Sequence, residues 1–401
     1  MDIELTSQQK EAWAAFRLFA QKEIAPRAGD FDREEKLPAE LIRTIAARKF
    51  LGGTLPEAWG GAGMDMITYG LLNQEVGAAC SSTRSLITVH DMVAHAILKW
   101  GSENHKMKWL PRLASGETIA AFAVSEPNVG SDLKSVETTA TSSAGAYRLD
   151  GVKRWITFGQ IADLFLVLAS CEGKPTAFLV ERDRPGLSTT PIAGLLGVRA
   201  SMAAEVKFDD CVVPEENLIG RKGFGLLSVI PTALGLGRYS VAWGCVGIID
   251  SCVRASVEYA DSRRQFGAYL KEHQLIQQML TEMTVNLKAA RLLCCQAGCL
   301  KDAGDEREVM ETFIAKYFAS RAAMGAASDA VQIHGANGCG AEFPVQRFFR
   351  DAKIMEIIEG SNQIQQILIA GYSYQEQVRL AQELESFSNS QCVSARATGR
   401  K

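Results

Sequence analysis

Several short stretches of the 401-residue chain set polar or flat side chains where a ligand could use them. "RDAKIMEIIEGSNQIQQILIAG" (350–371) puts Glu359 after Ile357 and Ile358 and before Gly360, at the start of a helix-like run. A carboxylate there can cap the helix, or it can be a general base whose pKa rises when a ligand strips its water. "AFAVSEPNVGSDL" (121–133) leaves a strand-like run for a loop. Its Gly130 permits close backbone approach and its Ser125 and Ser131 offer hydroxyls, although an ordinary surface turn reads the same way. "RWITFGQIADLFLVL" sets Trp155, Ile156 and Thr157 at a strand end. An indole beside a hydroxyl suits a flat heteroaromatic partner, or a core tryptophan. "DSRRQFGAYLKEHQ" (261–274) offers Arg263 and Arg264 to a pyrophosphate and Phe266 to an adenine, or else a solvated cationic helix end. "VQIHGANGCG" (331–340) approaches a phosphate or simply ends a helix.

The elements that must hold these residues change texture along the chain. Residues 1–118 read as helix, with apolar side chains at helical spacing after Thr6 and Ser7 and again after Pro38. Residues 119–222 hold short β-rich runs separated by Gly, Pro, Asp and Ser. From 223 to 380 the patterns are long and helical, as in an antiparallel four-helix bundle. The stretch 381–401 is polar without an apolar period, and the expectation is a disordered tail. The architecture is α+β: helices, a barrel-like β-domain, then helices.

The bulk numbers exclude more than they identify. A net charge of −3 without long charge runs argues against nucleic acid or anionic membrane as partners. No apolar run reaches the length of a membrane span, and the start lacks a secretory pattern. The ten cysteines are scattered, which fits buried reduced thiols in a cytoplasmic protein. Five histidines without ligand spacing argue against a metal site. No phosphate loop with its lysine, no dinucleotide glycine fingerprint after a strand and no serine elbow occurs.

In order, "AVSEPNVGSD", "KRWITFG", "LGVRAS", "SRRQFG", "QIHGANGCG" and "IIEGSNQIQ" resemble the motifs of the acyl-CoA dehydrogenase family, over about residues 5 to 375. The resemblance implies FAD between the β-domain and the C-terminal bundle of a homotetramer or homodimer. On matching positions Phe122, Val124, Ser125, Gly130, Ser131, Trp155, Ile156 and Thr157 would line the flavin. Arg263, Gln265, Phe266 and Gln274 would reach the adenine-diphosphate half of a neighbouring subunit's FAD. Gln332, Ile333, Gly335 and Ala336 would touch that same dinucleotide, while Ser361 and Gln363 would return to the chain's own. Ser131, Arg238 and Gly360 would meet the substrate. Glu359 matches the catalytic base, which takes an α-proton while a β-hydride passes to flavin N5. The electrons would leave to an electron-transfer flavoprotein or to oxygen.

The pattern departs around the acyl chain and its carrier. Gly235 stands where relatives carry an acid three positions before the arginine matched by Arg238. Ser201, Met202 and Ala203 replace a usual S-D-T, Ile358 replaces an aromatic, and Cys339 sits at an often aromatic position. "CSSTRSLIT" (80–88), "GRYSVAWGCVGI" (237–248) and "RDAKIMEIIEGS" (350–361) are similar to a subgroup that acts on acyl carrier protein thioesters. Those enzymes make hydroxymalonyl- or methoxymalonyl-ACP extender units for polyketides. The expectation is therefore oxidation of a glyceryl-derived acyl-ACP, with a short- or branched-chain acyl-CoA dehydrogenase of catabolism as the alternative.

Overall fold

The computed structural model describes residues 4–398. The N-terminal region carries α1 (Ser7–Phe19), α2 (Ala28–Glu34), α3 (Ala39–Ala47), α4 (Met66–Ala79), α5 (Ser81–Trp100) and α6 (Glu103–Ala114). Thr6 caps α1 through a reciprocal box with Gln9, so the Thr-Ser start is a true helix signal.

The middle region is a sheet of β1 (Ala120–Ala123), β2 (Thr139–Ser143), β3 (Ala146–Ile156), β4 (Leu164–Cys171), β5 (Lys174–Glu181), β6 (Leu187–Pro191), β7 (Ala204–Pro214) and β8 (Leu218–Ile219). Its order is β6-β7-β3-β2-β4-β5-β8, with β1 added in parallel to β4. The barrel-like domain expected from sequence is thus a sheet whose pairing path runs from β6 to β8 among the described residues.

The C-terminal region holds α7 (Ile230–Ser262), a two-stranded hairpin of β9 (Arg264–Gln265) and β10 (Ala268–Tyr269), then α8 (Gln274–Asp302), α9 (Glu308–His334), α10 (Val345–Met355) and α11 (Asn362–Thr398). The stretch from 381 to 398, expected to be disordered, continues α11, while 399–401 lie outside the described residues. Missing apolar periodicity predicts missing packing rather than missing helix, and no Gly or Pro interrupts residues 372–398.

The two helical regions share one core, in which α7 packs on α4, α5, α8 and α9. Glycines allow the close approach of α4 to α7. A Cβ on Gly70 would sit 2.3 Å from the Trp243 indole, and one on Gly247 would sit 2.2 Å from the Gln74 carbonyl. The helix over Gly225–Ser262 is long and apolar enough to cross a membrane by length and composition, a feature the sequence reading did not pick out. Here 72% of its most apolar stretch is buried inside the protein.

Candidate functional site

Where α5, α7, the sheet and the α10–α11 turn meet, a cavity of about 680 Å³ opens. Glu359 lies on its wall in that turn, with φ of 55°, followed by Gly360 at 89°. A non-glycine residue in the left-handed region is uncommon and is held there by its surroundings. Here the holding is explicit. Arg238 Nε donates to the Glu359 carbonyl at 3.0 Å, and the Arg238 guanidinium lies over the Phe313 ring. Lys316 Nζ donates to the Gly360 carbonyl at 2.8 Å and to Asn362 Oδ1 at 3.1 Å, and Gln365 Nε2 donates to the Gly360 carbonyl at 3.1 Å.

Ser361 Oγ accepts from the Ile364 amide at the start of α11, whereas Glu359 Oε2 is buried without any hydrogen-bond partner. Gly237 on α7 makes room for it, since a Cβ there would lie 2.6 Å from Oε2 and 2.7 Å from Met92 Sδ. Burial pushes the Glu359 carboxyl above its ordinary value, opposed by the charges of Arg238, Arg84 and Lys316. A carboxyl in this setting binds a proton more readily than one in water.

Another part of the lining comes from the sheet and its loops. Phe122, Val124, Ser125, Gly130 and Ser131 line it, as do Trp155, Ile156 and Thr157. The β3–β7 register slips between Lys153 and Ile156, and this bulge turns Trp155, at φ 65°, outward to 52% exposure on the cavity. The loop over 124–131 is fixed from behind by Glu126. Its carboxylate accepts from Lys153 Nζ at 2.7 Å, the Thr138 amide at 2.9 Å and the Glu137 amide at 2.6 Å. Burial pushes Glu126 up, but these bonds outweigh it and hold the group below its usual value.

A third wall segment is the loop at 194–203, where a Cβ on Gly197 would strike the Arg350 carbonyl at 2.3 Å. Val198 takes φ 46°, a costly value for a β-branched residue, and Asp351 Oδ1 accepts its amide at 2.7 Å. Of the residues implied for the substrate, Ser131, Arg238 and Gly360 all line the cavity. Arg238, however, already bonds the Glu359 backbone and so holds the turn that carries this carboxylate.

The remaining residues lie elsewhere. Arg263, Gln265, Phe266 and Gln274 are exposed at the end of α7, on the hairpin and at the start of α8, with Phe266 99% exposed. Gln332, Gly335 and Ala336 are exposed at the end of α9, whereas the Ile333 side chain is buried in the helical core. Ser361 lines the cavity, and Gln363 is exposed one position into α11. One chain therefore splits the implied FAD residues into a cavity set and a surface set, with Ile333 in neither.

Sequence reading missed Arg84, Glu126, Lys153, Lys316, Asp351 and Gly237. For Lys316 the signal available was a lone charge in an otherwise apolar helical pattern, "FIAKYFA", and it is weak alone.

The cavity's donor set suits a flavin ring: an exposed indole face, the hydroxyls of Ser125, Ser131 and Thr157, and open space beside Gly130. Comparison with known proteins agrees. Family models for the N-terminal, middle and C-terminal domains of acyl-CoA dehydrogenases match residues 6–117, 121–211 and 223–372. An acyl-CoA dehydrogenase of Bacillus subtilis is 37% identical over 92% of this chain and 99% of its own. The human mitochondrial short-chain specific acyl-CoA dehydrogenase is 36% identical over 92% and 91%. Among solved structures, butyryl-CoA dehydrogenase of Megasphaera elsdenii superposes with a TM-score of 0.90 at 33% identity, covering 93% of this chain and 100% of that one. FkbI, described for biosynthesis of the methoxymalonyl extender unit of the Fk520 polyketide, gives 0.83 at 30%, covering 90% and 99%. The chain belongs to the acyl-CoA dehydrogenase family, flavin enzymes that use FAD.

Proposed function

We propose that this protein dehydrogenates a short acyl thioester across its α and β carbons, with Glu359 taking the α-proton. The observation that carries this is Glu359 Oε2, buried without a hydrogen-bond partner in the cavity that Trp155 and Thr157 also line. FAD, when bound, supplies the acceptor for the β-hydride that no side chain can take. Arg238 and Lys316 hold the turn so that the carboxylate reaches inward. The apolar side chains of Ile354, Ile358 and Val241 exclude water from the proton's path. The likeness to short-chain acyl-CoA dehydrogenases supports a short acyl group on CoA.

A second reading, a small polar acyl group on an acyl carrier protein, is favoured by a different observation. Arg84, Ser85 and Thr88 bring polar groups to the α5 side of the cavity, where a fatty chain would want apolar ones. Gly235 in place of an acid, and the likeness to FkbI, point the same way. Anaerobic bleaching of the bound flavin separates the two. Butyryl, isobutyryl and glyceryl groups are presented on CoA and on a carrier protein. Fast bleaching by butyryl-CoA supports the first reading, bleaching only by carrier-bound glyceryl supports the second, and none with any of them sinks both.

The surface set of residues serves a neighbouring subunit in this reading, in a homodimer or homotetramer of the cytoplasm. Arg263→Ala then lowers FAD content and loosens the assembly. Unchanged FAD content and unchanged mass by light scattering would refute the sharing. The electron acceptor is an electron-transfer flavoprotein or oxygen, distinguished by whether reduced enzyme reoxidises in air at the turnover rate.

A further inference from the structure

Glu359 Oε2 rests in a notch of α7 that a second side chain closes. Of the atoms a Cβ at Gly237 would meet, the three nearest are Glu359 Oε2 at 2.6 Å, Met92 Sδ at 2.7 Å and Glu359 Cδ at 2.9 Å. The carboxylate and the thioether therefore share one gap. Met92 is fully buried on α5, in a core cluster with Val93, Trp109 and Leu113. Thr88 and Val89 line the cavity, and Met92 continues their helix face one turn further without joining the lining. Gly237 is not part of the lining either. The thioether thus reaches the carboxylate's gap from the core and does not border the space where a ligand sits.

The chemistry of this neighbour matters because opposed effects meet on Glu359. Arg84 on α5, Arg238 on α7 and Lys316 on α9 are the cations whose charge reaches it, and each favours the ionised form. The same turn adds Glu356, whose charge is felt by Lys316. Burial opposes the three cations and outweighs them. A thioether sulfur is a weak acceptor and donates nothing, so it cannot hydrogen-bond an anion. An amide or a water in the same gap would donate to Oε2 and let the cations prevail. Packing alone does not require sulfur here, because Leu fills a comparable volume.

We propose that Met92 is a positioning residue for the base: its thioether closes the gap behind Glu359 Oε2 and withholds the donor that would otherwise stabilise the carboxylate's negative charge. The inference rests on Glu359 being the base, as argued above. It adds no step to the reaction. The α-proton passes to Glu359 as before, and Met92 sets how readily it is taken.

The test compares Met92→Gln, which has nearly the same shape and an amide donor, with Met92→Leu, which has no donor, in the FAD-loaded enzyme. Two quantities are followed against pH. One is kcat/KM with the thioester that reduces wild type fastest. The other is the infrared C=O stretch of the protonated Glu359 carboxyl, identified as the band missing from Glu359→Gln. In Met92→Leu the titration stays at the wild-type pH, whatever happens to the rate. In Met92→Gln it moves to lower pH by about one unit, because a hydrogen bond to the charged form favours that form. The rate at high pH also falls about threefold or more, because a weaker base takes the proton more slowly. A titration that is unmoved or shifted upward in Met92→Gln overturns the proposal. So does an equal downward shift in Met92→Leu, which would make the effect one of shape. If Met92→Gln does not hold FAD, Met92→Ala takes its place: the space it leaves admits a water to Oε2, and the titration must again move down. An acid limb of the rate that survives in Glu359→Gln removes the base reading itself. A Glu359 band that does not move in Met92→Gln removes only the part given to Met92.

Discussion

Gly237→Ala tests the base's position with one methyl group. A Cβ at Gly237 would lie 2.6 Å from Glu359 Oε2 and 2.9 Å from its Cδ, with Met92 Sδ at 2.7 Å. Ordinary contact begins near 3.4 Å, so the carboxylate must retreat by roughly 0.8 Å, and α7 is too firmly packed to move instead. Misplacing a reacting group by about 1 Å costs on the order of 100-fold, or about 2.7 kcal/mol of barrier. Gly235→Ala is the matched control, since it lies on the same helix with nothing within 4 Å of its Cβ. Both changes favour the helix by up to about 1 kcal/mol, so a general stability effect appears in both. The assay is stopped-flow anaerobic bleaching by the best thioester found above, alongside FAD content and melting temperature. We expect bleaching about 100-fold slower in Gly237→Ala and near wild-type in Gly235→Ala, with FAD retained in both. Wild-type bleaching by Gly237→Ala would show that Glu359 is not constrained where the geometry puts it, and the reasoning would fail.

Lys316→Met removes a cation that opposes the raised pKa of Glu359 and a donor that ties down the Gly360 carbonyl. The rate depends on deprotonated Glu359, so kcat/KM falls as pH drops, and that acid limb should move to higher pH in the variant. A rate loss with an unmoved limb would assign Lys316 to structure alone. Asp91 is buried with Oδ1 accepting the Gly52 amide at 2.6 Å, and burial pushes it up to about 7. A carboxyl raised in the folded state contributes stability at low pH that is lost as pH rises towards 7. Asp91→Asn keeps an acceptor without the charge, so relative to wild type it should gain about 2 to 3 kcal/mol between pH 5 and 8. A constant difference in denaturation midpoint across that range would refute the assignment.

The parts legible in the sequence were those written in local pattern. The Thr6 cap, the long helical periods of α7 to α9 and the β-rich texture of 119–222 appear as expected. The residues that gather at the cavity come largely from three short continuous runs, "AVSEPNVGSD", "KRWITFG" and "IIEGS". The illegible parts depend on contacts between distant segments. Arg84 and Gly244 are 160 positions apart, by subtraction, and only the packing of α5 on α7 shows that one is the other's socket. Lys316 looks like any helical lysine until the α10–α11 turn arrives over it. The Trp155 bulge likewise needs the β3–β7 register, which no single strand encodes.

The most direct test of Glu359 as the proton acceptor is Glu359→Gln in the FAD-loaded enzyme, followed by anaerobic bleaching with the thioester that reduces wild type fastest. The side chain keeps its shape beside Gly237 but cannot take a proton. We expect full FAD content, retained thioester binding and bleaching slowed by at least about 1,000-fold, the upper part of the usual range for a catalytic acid or base. Bleaching within about tenfold of wild type would contradict it, and the proton would have to leave to some other group.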